Sequence, residues 1–238
     1  MELAYKLIVI GDSGVGKSNI TMRFCDNKFF EDGVATLGID FKYTTCRLVP
    51  DHTSDQPESV RLQVWDTAGH DRFATLTAGF YRSCQGIMLC FDLTNRGSFA
   101  RLDVWYSRVK ESIGDRFPPL ILVGCKLDLV QDTSMHTPIP QVKPGTTGLM
   151  LRGDNYGFRQ VDTAEAEAWA REHGALCYIE TSAKENTNVA RAFEILATCV
   201  ARESTPLPPS SGSDKVPPRL IRAVPVPTEK PQKSGCPC

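Results

Sequence analysis

The residues Gly11-Asp12-Ser13-Gly14-Val15-Gly16-Lys17-Ser18 set two glycines five positions apart and follow the second at once with a lysine and a hydroxyl. This Gly-x-x-x-x-Gly-Lys-Ser spacing is that of a loop that wraps phosphate. Glycines let successive backbone N–H groups, here those of Ser13, Gly14, Val15 and Gly16, turn inward on anionic oxygen. A helix N-terminus behind them adds a favourable dipole. Lys17 would place its ammonium by the β- and γ-phosphates, Ser18 would offer its hydroxyl to Mg²⁺, and Asn19 follows in the same turn. The chemistry is that of a metal-bound nucleotide. Adenine and guanine users share the loop, so the base stays open at this point. A second reactive pair lies at the far end, where the thiols of Cys236 and Cys238 flank one proline.

These groups need elements to position them. The apolar runs Leu7–Ile10, Ile87–Phe91 and Leu120–Val123 are short and continuous, as expected of strands buried on both faces. Leu7–Ile10 leads straight into the glycine loop, and the helical pattern of Ser18–Phe24 follows it, which is the context the motif requires. Helical periodicity also marks Gly97–Ser112. Asp162-Thr163-Ala164-Glu165 has capping-box spacing ahead of a helix over Ala164–Glu172. Tyr178–Glu180 and Asn188–Arg202 read as the last strand and the last helix. Strands alternating with helices predict a doubly wound α/β domain with a largely parallel sheet. Phe41–Val49 and Val60–Trp65 are instead consecutive strands joined by a polar, proline-containing link, and an antiparallel hairpin is expected there.

Bulk properties set the limits. Of 238 residues, 41% are hydrophobic and 23% charged, the balance of an ordinary soluble core. A net charge of −1 supplies no electrostatic reason to bind nucleic acid. Met1 to Lys6 lacks the basic segment and apolar run of a signal peptide, and no apolar stretch approaches the roughly 20 residues that span a bilayer. Cys84, Cys90, Cys177 and Cys199 sit in apolar patterns, without zinc or disulfide spacing, so a reducing compartment is expected. Leu129–Gln160 is rich in Pro, Gly and Thr without a period, and reads as a long loop insert. Glu203–Cys238 holds nine of the chain's sixteen prolines and reads as a disordered or extended tail behind a domain of residues 1–202.

Four further segments complete a pattern: Thr36-Leu37-Gly38-Ile39-Asp40-Phe41, Trp65-Asp66-Thr67-Ala68-Gly69, Lys126-Leu127-Asp128 and Glu180-Thr181-Ser182-Ala183-Lys184. With the glycine loop they occur in the order seen in Ras-like small GTPases, and the chain resembles the Rab branch, which acts in vesicle traffic. The resemblance spans about Leu3 to Arg202, apart from the insert. It implies a P-loop NTPase fold: three layers, α/β/α, around a six-stranded, mostly parallel sheet with one antiparallel hairpin strand. It implies that Thr36 coordinates Mg²⁺ and senses the γ-phosphate, that Asp66 holds the metal through water, and that the Gly69 amide bonds the γ-phosphate. Phe29 aligns with the aromatic packed on guanine, Asp128 would accept the guanine N1–H and exocyclic amine, Lys126 would lie along the base, and the Ala183 amide would bond the guanine oxygen. Ser182 and Lys184 complete the base loop. Phe41, Trp65 and Tyr81 match the effector-facing aromatic triad of the family.

Two positions depart from that pattern. His70 stands where a glutamine usually orients the attacking water, so with Lys17 and Gly69 at the reacting end, slower intrinsic turnover is expected. Cys125 stands where an asparagine usually ties the base loop to the phosphate loop, and a thiol cannot replace a carboxamide. Weaker retention of guanine nucleotide with preserved specificity is the expectation. Ser13 is common at its position among Rabs. Gly235-Cys236-Pro237-Cys238 fits the Rab Cys-x-Cys ending, whose thiols carry geranylgeranyl groups, and two chains give stable anchoring. The resemblance implies an exchange factor, a GTPase-activating protein, a GDP-dissociation inhibitor or escort protein, and effectors as partners. It places the protein in the cytoplasm, cycling onto the cytoplasmic face of an intracellular membrane. Two other readings stay open: a guanine-nucleotide-binding module with negligible hydrolysis, and a P-loop ATPase or nucleotide kinase, against which Lys126-x-Asp128 and Ser182-Ala183-Lys184 argue.

Overall fold

Six strands hydrogen-bond in the order β2-β3-β1-β4-β5-β6, where β1 is Ala4–Gly11, β2 Ile39–Arg47, β3 Ser59–Thr67, β4 Gly86–Asp92, β5 Leu120–Cys125 and β6 Tyr178–Glu180. The computed structural model describes residues 4–31, 36, 38–50, 59–70, 79–114, 117–130 and 158–204. Only the β2–β3 pair is antiparallel, with Phe41 opposite Trp65, and all other pairs run parallel. The expected hairpin and sheet are therefore present. Most of the insert, 131–157, and the tail from 205 onward, with Cys236 and Cys238, lie outside the described residues.

The continuous apolar runs are explained by burial on both faces. One face of the sheet packs Leu7, Val9, Val64 and Val123 against helices α1 (Lys17–Asp26) and α5 (Val189–Ser204), through Ile20, Phe193 and Leu196. The other packs Ile8, Ile10, Leu89 and Leu122 against α3 (Leu102–Ile113) and α4 (Thr163–Glu172), through Trp105, Val109, Ala166 and Ala170. Alternate residues of one strand thus serve two cores, and no position is free to be polar.

Two local expectations are corrected. The helix expected over Gly97–Ser112 is broken at Arg101 into α2 (Arg96–Ala100) and α3, and it starts where Asn95 Oδ1 accepts the N–H groups of Gly97 (2.9 Å) and Ser98 (3.4 Å). The capping box does not form, because the Asp162 side chain makes no cap hydrogen bond and Glu165 pairs with Arg96 of α2 instead. Tertiary pairing outcompetes the local motif there. A carboxylate can satisfy an arginine on a neighbouring element at least as well as one backbone N–H.

Candidate functional site

The glycine loop sits at the C-terminal end of β1, where parallel strands of such a sheet leave a crevice. Gly11 turns the chain with φ +138°, and a Cβ there would stand 2.1 Å from the Cys90 carbonyl oxygen, so only glycine fits. α1 begins at Lys17 with no side-chain cap and no acid in its first turn, which leaves its leading N–H groups facing the crevice. Lys17 is buried, donates from Nζ to the Asp12 carbonyl oxygen at 2.7 Å, and is held below the usual lysine range by that burial, against the pull of Asp66. A buried cation beside an uncapped helix N-terminus suits a polyanion.

Beside it three oxygens converge. Ser18 Oγ donates to Asp66 Oδ2 at 2.5 Å and lies 2.7 Å from Thr36 Oγ1, which in turn reaches Asp66 Oδ2 at 3.4 Å. Asp66 is buried, and its other oxygen, Oδ1, has no hydrogen-bond partner among the described residues. Burial raises its carboxyl above the usual range, partly offset by Ser18 and Lys17. An orphaned, buried carboxylate oxygen among hydroxyls suits a hard cation, and the small protein share of the ligands fits Mg²⁺, which keeps waters and phosphate oxygens. Gly69 closes this end. A Cβ built on it would stand 2.3 Å from the Ser13 amide nitrogen and 2.5 Å from the Asp12 carbonyl oxygen, so the backbone after β3 rests on the phosphate loop.

The other end gathers the residues that the resemblance assigns to the base. Asp128 accepts from Ser182 Oγ at 2.6 Å through Oδ1. Lys126 has φ 65° and pairs with Asp92 Oδ2 at 2.7 Å. Arg23 of α1 donates to the carbonyl of Ala183 at 2.7 Å and that of Lys184 at 3.3 Å, tying the base loop to the helix that follows the phosphate loop. Glu180 anchors the same loop from behind: Arg159 binds it with both nitrogens (2.8 and 2.7 Å), and Tyr178 and Thr163 donate at 2.8 and 2.9 Å. The arginine holds the Glu180 carboxyl below the usual range despite burial.

A cavity of about 630 Å³ joins the two ends, lined by Ser13, Gly14, Gly16, Lys17, Ser18, Asn19, Phe29, Thr36, Gly69, His70, Cys125, Lys126, Asp128, Ala183 and Lys184. Val15 and Ser182 are buried behind that surface. Cys125 is buried at the end of β5, and a Cβ built on Gly16 would lie 3.5 Å from Cys125 Cβ and 4.0 Å from its sulfur. Among the described residues its thiol makes no hydrogen bond to the phosphate loop, so the two meet by packing alone. Sequence reasoning missed Glu31, whose carboxylate takes Lys184 Nζ at 2.8 Å across the cavity mouth, because nothing local links two charges 153 positions apart.

The third residue assigned to the aromatic surface is corrected. Phe41 is exposed on β2 and stacks on Trp65 at 5.1 Å, but the ring that continues the stack is Phe80, 4.9 Å from Trp65. Tyr81 is only 2% exposed and packs in the core with Ile8 and Trp105. Residues 79–81 are helical, and one helical step turns a side chain by about 100°, enough to exchange surface for core. Lys6 Nζ lies 4.1 Å over the Trp65 ring and donates to the Phe80 carbonyl at 3.1 Å, which fixes the stack from below. Tyr81→Ala is accordingly expected to cost about 3–5 kcal/mol of stability, and Phe80→Ala much less. Chemical denaturation of the two variants measures the difference.

Comparison with known proteins bears on this architecture directly. The sequence model of the Ras family matches residues 6–202. The chain is 33% identical to Ras-related protein RABD2a of Arabidopsis thaliana over 236 residues, 99% of this chain and 96% of that protein. It is 33% identical to GTP-binding protein YPTM1 of Zea mays over 84% of this chain and 80% of that one. To Ras-related protein Rab-10 of Diplobatis ommata it is 34% identical, over 85% and 84% respectively. A phosphate crevice, a hard-cation corner and a base loop on a six-stranded sheet, in a chain so matched from end to end of its domain, make this protein a Rab-type GTPase of the Ras family.

Proposed function

We propose that the protein is a membrane-recruited switch of vesicle traffic that alternates between GDP and GTP and hydrolyses GTP slowly by itself. The observation that carries this reading is the meeting of Ser18, Thr36 and Asp66 beside the phosphate loop, with Asp66 Oδ1 buried and without a hydrogen-bond partner among the described residues. Ser18 and Thr36, with Asp66 behind them, would hold Mg²⁺ at that corner, where it would supply positive charge to the phosphate end. Thr36 precedes β2 and Gly69 follows β3, so a terminal phosphate between them holds both segments, and its loss releases both. Asp128 has one carboxylate oxygen engaged by Ser182 and, among the described residues, no hydrogen bond at the other, which supports guanine over adenine, since adenine carries no hydrogen at N1.

Cys125 sets the retention of nucleotide in this reading. Packing without a hydrogen bond leaves the base loop and phosphate loop less firmly joined, and one or two missing hydrogen bonds correspond to about ten- to a hundredfold in affinity. Cys125→Asn is expected to slow GDP release by about tenfold or more, followed with fluorescent GDP. A variant releasing GDP as fast as the parent removes the argument. Membrane attachment through geranylgeranylated Cys236 and Cys238, and exchange factor, GTPase-activating protein, GDP-dissociation inhibitor or escort protein and effectors as partners, complete the cycle by likeness to Rab proteins. The domain of residues 1–202, the 129–160 insert and the extended tail belong to the same proposal.

A second reading is favoured by one observation. His70 is exposed at the cavity mouth, and no hydrogen bond orients its ring among the described residues. A protein that binds guanine nucleotide with negligible hydrolysis follows if no partner orients it. Single-turnover GTP hydrolysis by the purified full chain, with and without GTPase-activating proteins, separates the two. The first reading expects a slow but measurable intrinsic rate that a partner accelerates, and the second expects neither. Nucleotide identified in the purified protein tests both, because ATP or ADP bound in place of GTP or GDP overturns the guanine assignment.

A further inference from the structure

The most conspicuous residue of the phosphate loop is one that its chemistry does not need. Asp12 puts a carboxylate into a loop that binds a polyanion, where an uncompensated negative charge opposes the ligand. The structure turns that carboxylate away and gives it two partners from one helix. Trp105 of α3 donates from Nε1 to Asp12 Oδ1 at 2.8 Å, and Arg101, at the start of the same helix, lies with Nε 2.9 Å from the same oxygen. Trp105 is 1% exposed, so its N–H has no access to water, and a buried indole N–H needs an acceptor. The backbone of Asp12 faces the other way: its carbonyl accepts Lys17 Nζ at 2.7 Å and underlies Gly69. One residue is therefore held from both sides, by the catalytic lysine inside the crevice and by a core tryptophan 93 positions away outside it.

We propose that Asp12 is a positioning residue, and that the Trp105 indole sets through it the spacing between the phosphate loop and the Gly69–His70 segment. The inference rests on the reading of this site as one that binds and hydrolyses GTP. Helix α3 is a rigid reference, since Leu102, Trp105 and Val109 are all fully buried against the sheet. The peptide joining Asp12 to Ser13 touches Gly69 backbone to backbone, so a shift of that peptide moves the surface on which the terminal phosphate and the attacking water are arranged. GDP, which lacks that phosphate, depends on the arrangement far less. The tether is thus expected to act on GTP recognition and turnover, and to leave GDP affinity almost untouched.

Trp105→Phe keeps an aromatic ring in the core and deletes three heavy atoms of core volume, the indole N–H among them, a loss that thermal unfolding measures separately. It is expected to lower the GTP-to-GDP affinity ratio and the single-turnover hydrolysis rate by about tenfold each, the scale of one hydrogen bond to a charged group, with GDP affinity within about threefold of the parent. Asp12→Ala, which removes the half-buried acceptor and leaves every core side chain in place, is expected to lose as much, and the double variant no more than either single one. Asp12→Asn retains an oxygen acceptor for the indole while removing the charge that Arg101 meets, and a loss of only about twofold is expected. A parent-like affinity ratio in Trp105→Phe, or an Asp12→Asn as impaired as Asp12→Ala, overturns the proposal; the latter would assign the effect to Arg101 and charge. Should the parent itself fail to hydrolyse GTP, the hydrolysis reading falls, while the affinity ratio still decides the tether.

Discussion

Gly69→Ala is expected to abolish most GTP turnover, lowering the single-turnover rate by about 100-fold or more, the scale set by a 1 Å displacement at a reacting centre. The added methyl would overlap backbone on one side only: the Ser13 nitrogen at 2.3 Å and the Asp12 carbon at 2.4 Å. Neither is the flexible end of a side chain, so the clash is relieved only by moving the segment after β3 away from the phosphate loop. In the proposed cycle GDP does not engage that segment, and GDP affinity is expected to stay within about threefold of the parent, a difference below 1 kcal/mol. Stability should change little, because residue 69 lies in a loop and contributes nothing to either core. Thermal unfolding alongside hydrolysis and GDP titration separates the steric explanation from general damage. A variant that turns over GTP at the parental rate shows that the contact opens in the reactive state.

The second large effect concerns the base. Asp128→Ala removes a carboxylate already oriented by Ser182, whose hydroxyl donates to it at 2.6 Å. In the proposed guanine pose two hydrogen bonds to that carboxylate are lost, about 3 kcal/mol or more together, or at least about 100-fold in affinity for GDP and GTP alike. Discrimination falls with it: ATP, which gained nothing from Asp128, should compete with GTP far better in the variant than in the parent. Competition against fluorescent GDP measures both quantities. If ATP competes equally in parent and variant, the base is selected elsewhere in the cavity. Unlike Gly69→Ala, this change penalises both nucleotides equally, so the pair of variants divides the cavity into a phosphate end and a base end.

The site was legible to a different degree at each end. The phosphate loop could be read from eight consecutive residues, because its chemistry is done by backbone N–H groups whose geometry glycine spacing dictates. Asp66 and Asp128 were legible as types in short motifs, and their second partners, Ser18 with Thr36 and Ser182, come from distant segments that the motifs also mark. The aromatic surface was misread by one position. The resemblance assigned the third ring to Tyr81, and only the helical turn of 79–81 shows that Phe80 is the ring that reaches Trp65. Likewise the capping-box spacing at Asp162 was correct as a local preference, and the bond did not form because Arg96 offered Glu165 a charged partner.

What this sequence determined by itself is the order of elements, the parallel sheet and the identity of the ligand class. Those follow from periodicity and from backbone chemistry, both of which are written in neighbouring residues. The tertiary structure alone decided which polar groups meet. Trp105 with Asp12, Arg159 with Glu180 and Glu31 with Lys184 are brought together by helices and strands packing across two cores. A hydrogen bond acts over about 3 Å, whereas the chain between its partners is many times longer. No local pattern can encode such a meeting, and so the groups that position the phosphate loop and the base loop became visible only in the folded chain.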